Sequence, residues 1–164
     1  MVLPHLSAAH RLARYLTRND ADADDVVQEA FLRALKYFGG FRGEADQSRA
    51  WLLAIVRNTT HTWQRRHLAD ASVAEFDETV HSEAIADEDP GSALSRSDSR
   101  ETLAAALERL PPEFREVIVL REVEGLSYKE ISEVVNVPVG TVMSRLARAR
   151  KRLQQALIVS DKDR

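Results

Sequence analysis

Residues 126–153 read LSYKEISEVVNVPVGTVMSRLARARKRL. Ser127 suits the position before a helix, and Glu130 stands three residues on, so the two can satisfy each other's free backbone N–H groups as a capping box. Ile131, Val134 and Val135 then give a short helix one apolar face. Asn136 tolerates the left-handed conformation of a tight turn. Pro138 cannot extend the first helix but fits the first turn of the next. Val139, Val142, Leu146, Ala149 and Leu153 continue at helical spacing, while Ser144, Arg145, Arg148, Arg150, Lys151 and Arg152 occupy the other faces. No acidic residue falls between Val139 and Gln155. Two helices, a tight turn and a basic second helix make a helix-turn-helix whose second helix suits a DNA major groove. A plain helical hairpin with a solvated basic face has the same outline, and the motif alone does not say which kind of DNA-binding protein this is.

The remainder of the 164 residues also reads as helix. Residues 6–18 carry Leu6, Ala9, Leu12, Ala13 and Leu16 on one side. A polar break at residues 19–24 follows. Val26, Val27, Ala30, Phe31, Ala34, Leu35 and Phe38 then share one helical face. Asp24, Asp25 and Glu29 lie near its start, where negative charge suits the helix dipole. Gly39 and Gly40 end it, and residues 41–48 form a loop. A third helix runs from about Arg49 to Arg66. Trp51, Leu52, Ile55 and Val56 are its core side. Arg57, Asn58, His61, Thr62, Arg65 and Arg66 are its polar, basic side, and Trp63 suits either. Rings among arginines fit single-stranded nucleic acid, since bases stack while phosphates pair with guanidinium groups.

Charge divides the chain. Residues 1–67 carry ten basic and seven acidic groups, residues 68–100 two and nine, and residues 101–164 eleven and ten. The acidic stretch lacks an apolar period and reads as a linker, or equally as a solvated spacer. Beyond it, Leu103, Ala106, Leu107 and Leu110 mark a helix stopped by Pro111 and Pro112. Phe114, Val117, Ile118 and Leu120 mark another, ending near Gly125. No strand pattern occurs. The expected fold class is all-α: two small helical bundles joined by an acidic tether. The domains expected are residues 1–67, a linker at 68–100, a helix-turn-helix domain at 101–158 and a polar tail at 159–164.

Several functions are excluded by what the residues lack. There is no cysteine, so no disulfide and no cysteine-ligated metal. His5, His10, His61, His67 and His81 are scattered, and no metal or other cofactor is expected. No Gly-rich phosphate loop, Gly-x-Ser-x-Gly turn or His-Glu-x-x-His pair is present, so no catalytic site is expected and the chain reads as a non-enzyme. No apolar run approaches a membrane span and no signal peptide is seen, which fits a cytoplasmic protein without membrane insertion.

Three stretches resemble extracytoplasmic-function (ECF) sigma factors, the small two-domain specificity subunits of bacterial RNA polymerase. Residues 22–35, DADDVVQEAFLRAL, look like the family's region 2 helix. Residues 50–58, AWLLAIVRN, resemble the start of its next helix. Residues 110–115, LPPEFR, with 126–131 and 138–152, look like region 4. The resemblance implies that Asp25, Gln28 and Glu29 meet a coiled coil of core RNA polymerase. It implies that the loop with Phe41, Arg42 and Ser48 holds a base flipped from the −10 element, and that Arg57, Asn58, His61, Thr62 and Arg65 contact neighbouring promoter DNA. Thr141, Ser144, Arg145, Arg148, Arg150 and Lys151 would read the −35 element. The acidic linker would thread a polymerase channel, and an anti-sigma factor is an expected partner. The chain departs from the pattern in three ways. It begins near the family's second helix, Met143 replaces a common basic residue, and Asn136 replaces a frequent Gly. With no long C-terminal extension, no built-in regulatory domain is expected.

Two rival functions remain at this level. A stand-alone dimeric helix-turn-helix regulator would use the C-terminal lobe and leave the first lobe and linker without a role. A protein-interaction module would make the basic helix incidental.

Overall fold

The computed structural model describes residues 3–40, 47–71 and 96–162, and all regular structure among them is helical. A 3-10 turn, Leu3–His5, leads into α1 (Leu6–Thr17). Ala8, Ala9, Leu12, Ala13 and Leu16 are its buried face. Arg18 closes the helix in a left-handed conformation (φ 61°), its N–H donating to the Arg14 carbonyl.

Helix α2 (Asp20–Tyr37) starts earlier than the expected polar break allows. Asn19 caps it at once, its side chain accepting from the Asp22 N–H at 3.0 Å. The acids Asp20 and Asp22 then lie in the first turn, where the helix dipole favours them. Ala23, Val26, Val27, Ala30 and Ala34 are buried. Leu35 and Phe38, expected on that face, are 72% and 40% exposed. Each residue advances about 100° around a helix, which carries both past the edge of the narrow alanine-rich contact. A 3-10 turn, Phe38–Gly40, follows. Phe41, Arg42 and most of the expected base-binding loop lie outside the described residues.

Helix α3 (Ser48–Ala71) runs longer than expected. It buries Leu52, Leu53 and Val56, and with them Thr59 and Thr60. The Thr60 hydroxyl donates to the Val56 carbonyl at 2.8 Å, so its polar atom is satisfied. Trp51 is half-buried against the core, edge-on to Phe38 with ring centroids 6.0 Å apart. Trp63 also packs against the core and stacks on His67 at 3.6 Å. Helices α1, α2 and α3 pack on one another as a three-helix lobe.

The central part of the expected linker, residues 72–95, lies outside the described residues, and both its ends are helical. Helix α4 (Arg96–Arg109) buries Ala106 and Leu107, while Leu103 is 41% exposed rather than in the core. Helix α5 (Pro112–Ile118) begins on the proline at its first turn and continues into a π-helical turn, Val119–Val123. That wide turn ends with the Glu124 N–H donating to the Val119 carbonyl and the Leu126 N–H to that of Leu120, both at 3.0 Å. Gly125 takes a φ of 71°, which favours glycine. Helices α6 (Tyr128–Val135) and α7 (Val139–Lys162) complete the second lobe.

The two lobes are packed together rather than held apart. Helix α3 lies against α6, and α1 against α5. A continuous apolar cluster runs from Ala8 and Leu12 through Leu52 and Val56 to Val117, Ile131 and Leu146. No helix among the described residues is long and apolar enough to cross a membrane.

Candidate nucleic-acid interface and docking face

The helix-turn-helix forms as its sequence predicts. The Ser127 hydroxyl accepts from the Glu130 N–H at 3.1 Å, and the Glu130 carboxylate accepts from the Ser127 N–H at 2.9 Å. Asn136 turns the chain in the left-handed region, φ 58° and ψ 50°. Val142, Leu146 and Ala149 anchor α7 to the core. Thr141 and Arg145 are half-buried, and Ser144, Arg148 and Lys151 are exposed. At about 100° per residue, these five fall within one side of α7. Arg150 does not join them. It lies roughly opposite Thr141 around the helix and pairs with Glu122, Nη2 to Oε1 at 2.6 Å. Arg152 is likewise taken up in packing, its guanidinium 5.0 Å from the centroid of the Phe114 ring. Val139, expected in the core, is 39% exposed.

On the first lobe, Arg57, Asn58, His61, Thr62 and Arg65 line a single groove along α3, with Gln64 and Leu68. Their i, i+1, i+4, i+5 and i+8 spacing makes them neighbours on one helical face. Ser48 does not belong there. It is 1% exposed, with its hydroxyl 3.1 Å from His5 Nε2.

Asp25 and Gln28 are exposed on α2. Glu29 is half-buried and pairs with Arg33 at 3.0 Å and Arg66 at 3.6 Å, so it is held in place by the lobe itself. Leu32 and Leu35, 68% and 72% exposed, lie on the same side of α2 as Asp25 and Gln28. Neighbouring leucines this open to water give that side of α2 an exposed apolar patch beside its polar residues. The helical period places Leu35 with the core and gives Leu32 no face, so the sequence alone does not mark either as exposed.

A third group was missed altogether: the acids of the second lobe. Glu116 is 2% exposed, and Arg57 donates to it through Nε at 2.9 Å and through Nη2 at 3.2 Å. His61 Nε2 is 3.5 Å away. Burial pushes the Glu116 carboxyl up, but hydrogen bonds from His61 and Arg57 and the charge of Arg57 outweigh it, and the net shift is below the usual value. Glu124 is gripped likewise by Arg11, with two hydrogen bonds of 2.9 Å. The Glu124 carbonyl accepts from Arg49.

Residues 1–69 match the family described as Sigma-70 region 2, and residues 100–153 match Sigma-70, region 4. The chain is 39% identical to the RNA polymerase sigma-H factor of Pseudomonas aeruginosa, across 93% of this chain and 83% of that protein. It belongs to the extracytoplasmic-function sigma factors. The ECF RNA polymerase sigma-E factor of Haemophilus influenzae is 36% identical, across 89% of this sigma factor and 79% of its relative. In fold, this sigma factor is similar to RpoE of Bartonella quintana, solved in complex with the anti-sigma factor NepR. The TM-score is 0.76 at 26% identity, covering 96% of this chain and 94% of that one. A stand-alone helix-turn-helix regulator is therefore not favoured, because the region 2 match accounts for the first lobe.

Proposed function

We propose that this sigma factor docks on core RNA polymerase through the outer side of α2, meets the −10 element through α3 and reads the −35 element through α7. The observation that carries the reading is the groove along α3, where Arg57, Asn58, His61, Thr62 and Arg65 come together. Arginine and histidine supply charge for phosphates, and Asn58 and Thr62 supply neutral hydrogen bonds for sugar or base edges. Phe41 and Arg42 belong to the loop that would hold a flipped base. On α7 the groove-facing set is Thr141, Ser144, Arg145, Arg148 and Lys151, with Arg150 serving as a brace to Glu122. Docking uses Asp25, Gln28, Leu32 and Leu35, with Glu29 steadying that helix.

The domain division proposed is residues 1–67 for docking and −10 contact, 68–100 as linker, 101–158 for −35 contact and 159–164 as tail. The protein acts in the cytoplasm without catalysing a reaction of its own, and capture of an unstacked base offsets part of the melting cost. An anti-sigma partner is proposed because the Bartonella quintana relative was solved with one.

The test is holoenzyme reconstitution with promoter-opening and pull-down readouts. Asn58→Ala with Arg65→Ala should leave polymerase binding intact and lower promoter opening at least tenfold, a loss of about 1.4 kcal/mol. Asp25→Arg with Leu32→Glu should abolish polymerase capture. Unchanged opening and capture would remove the reading.

A further inference from the structure

Among the described residues, the side-chain ion pairs that cross between the lobes share one polarity. Arg11 meets Glu124, Arg14 meets Glu108, and Arg57 with His61 meets Glu116. The base lies in the first lobe and the acid in the second. Glu116 matters most, because its two bases also belong to the α3 groove.

A guanidinium that holds both oxygens of a carboxylate presents the fork that also fits two oxygens of a phosphodiester. We propose that Arg57 and His61 form a seat for a DNA backbone phosphate, and that Glu116 fills this seat while the lobes are closed. The carboxylate is an internal stand-in for the phosphate, and DNA enters only when the second lobe leaves α3. This rests on the reading of α3 as the −10 contact and names the contact that guards it.

Three observations converge. First, Glu116 is buried by the lobe interface and held ionised there, so its charge is matched to a basic seat. Second, α6 packs on α3, so the second lobe covers the helix that carries the groove. Third, replacing a buried ion pair with apolar groups is often neutral or stabilising. A seam needed only for adhesion has no call for the Arg57–Glu116 pair, largely buried on both sides, beside an apolar cluster that already spans both lobes. An exchangeable seam does, because the freed Arg57 lies in the α3 groove and remains useful to DNA.

The test uses the full chain. It has no cysteine, so Ala21→Cys and Glu133→Cys, both at exposed positions, give one spin-label pair that reports lobe separation. Glu116→Gln should add a longer-distance population. It should also bind a fluorescein-labelled oligothymidylate about tenfold more tightly than the parent, equivalent to about 1.4 kcal/mol. Arg57→Ala should lengthen the distance without that gain. Arg57→Glu and Glu116→Arg should each open the lobes, and the two together should close them again, which separates a latch from general damage to folding. An unchanged distance in Glu116→Gln, or a reversed pair that stays open, overturns the latch. Opening with unchanged oligothymidylate affinity overturns the phosphate seat. Arg65→Ala checks the reading of α3 apart from the latch, because Arg65 lies in the groove and has no part in the Glu116 contact. If it leaves oligothymidylate binding unaltered, the α3 reading falls, and the distances still decide the latch.

Discussion

Arg115 is 5% exposed and donates to three backbone carbonyls: Leu107 at 3.2 Å, Glu108 at 3.1 Å and Leu110 at 2.7 Å. These are the open carbonyls at the end of α4, which a cation suits both by hydrogen bonding and by dipole. Burial lowers the pKa of Arg115 from its ordinary value, so the fold bears the cost of holding it charged. Arg115→Met would remove the donors and leave those carbonyls short of partners. A loss of about 2–4 kcal/mol is expected in urea unfolding, within the range for a broken buried charge network. A change below about 0.5 kcal/mol would show that water replaces the guanidinium.

Glu116 gives a pH dependence with a defined sign. The groups facing it are Arg57 and His61 from α3 and Arg115 on its own helix. Its folded-state pKa is depressed, so its stabilisation is full above the unfolded-state value, about 4.3. It is lost as the pH falls through the lower folded-state value. The stability difference between the native chain and Glu116→Gln should therefore shrink as the pH falls below roughly 4. Urea midpoints at stepped pH would measure it, and a difference that grows in acid would reverse the assignment. These partners were invisible in the sequence because Arg57 and Glu116 are 59 residues apart, and Arg11 and Glu124 are 113 apart. The Ser127 and Glu130 box was legible because its whole geometry is contained in four consecutive residues.

At the scale of elements, periodicity located the helices well and their outer faces poorly. The core side of α2 was legible because Val26, Val27, Ala30 and Ala34 follow the helical repeat, whereas Ala23, buried one turn earlier, fell within the expected polar break. Periodicity could not assign Leu35 or Phe38, since an exposed leucine and a buried one share the same chemistry. The π-helical turn at Val119–Val123 was also unreadable, because an i to i+5 bond has no sequence signature. Its effect is to bring the chain round to Glu124, which is 4% exposed and bonded to Arg11. The exposed leucines of α2 give a prediction for the helix as a unit. Leu32→Glu with Leu35→Glu should leave the thermal midpoint within a few degrees of the parent, since neither side chain is in the core. The same variant should lose core polymerase capture by at least tenfold, about 1.4 kcal/mol. A large fall in the midpoint would instead place these leucines within the fold.

At the scale of the molecule, closure rests on two kinds of contact with different responses to salt. The apolar seam between α1 and α5 and between α3 and α6 does not weaken with ionic strength. The ion pairs do weaken, but unequally. The carboxylates of Glu116 and Glu124 are 2% and 1% exposed, and such pairs are screened far less than surface ones. The pair between Arg14 and Glu108 is more open, at 36% and 29% exposure, and should contribute little. The native chain should therefore keep the same radius of gyration in solution scattering between roughly 0.1 and 1 M salt, although the Debye length falls from about 10 Å to about 3 Å. Glu116→Gln with Glu124→Gln should be larger at the low-salt end, because Arg57, 17% exposed, then stands at the seam without its counter-charge and repays its desolvation poorly, and the half-exposed Arg11 loses its partner as well. Raising the salt should shrink the variant back toward the native dimensions as repulsion among those bases is screened. Expansion of the native chain with salt would mean that exposed pairs, not the apolar seam and the buried carboxylates, keep the lobes together.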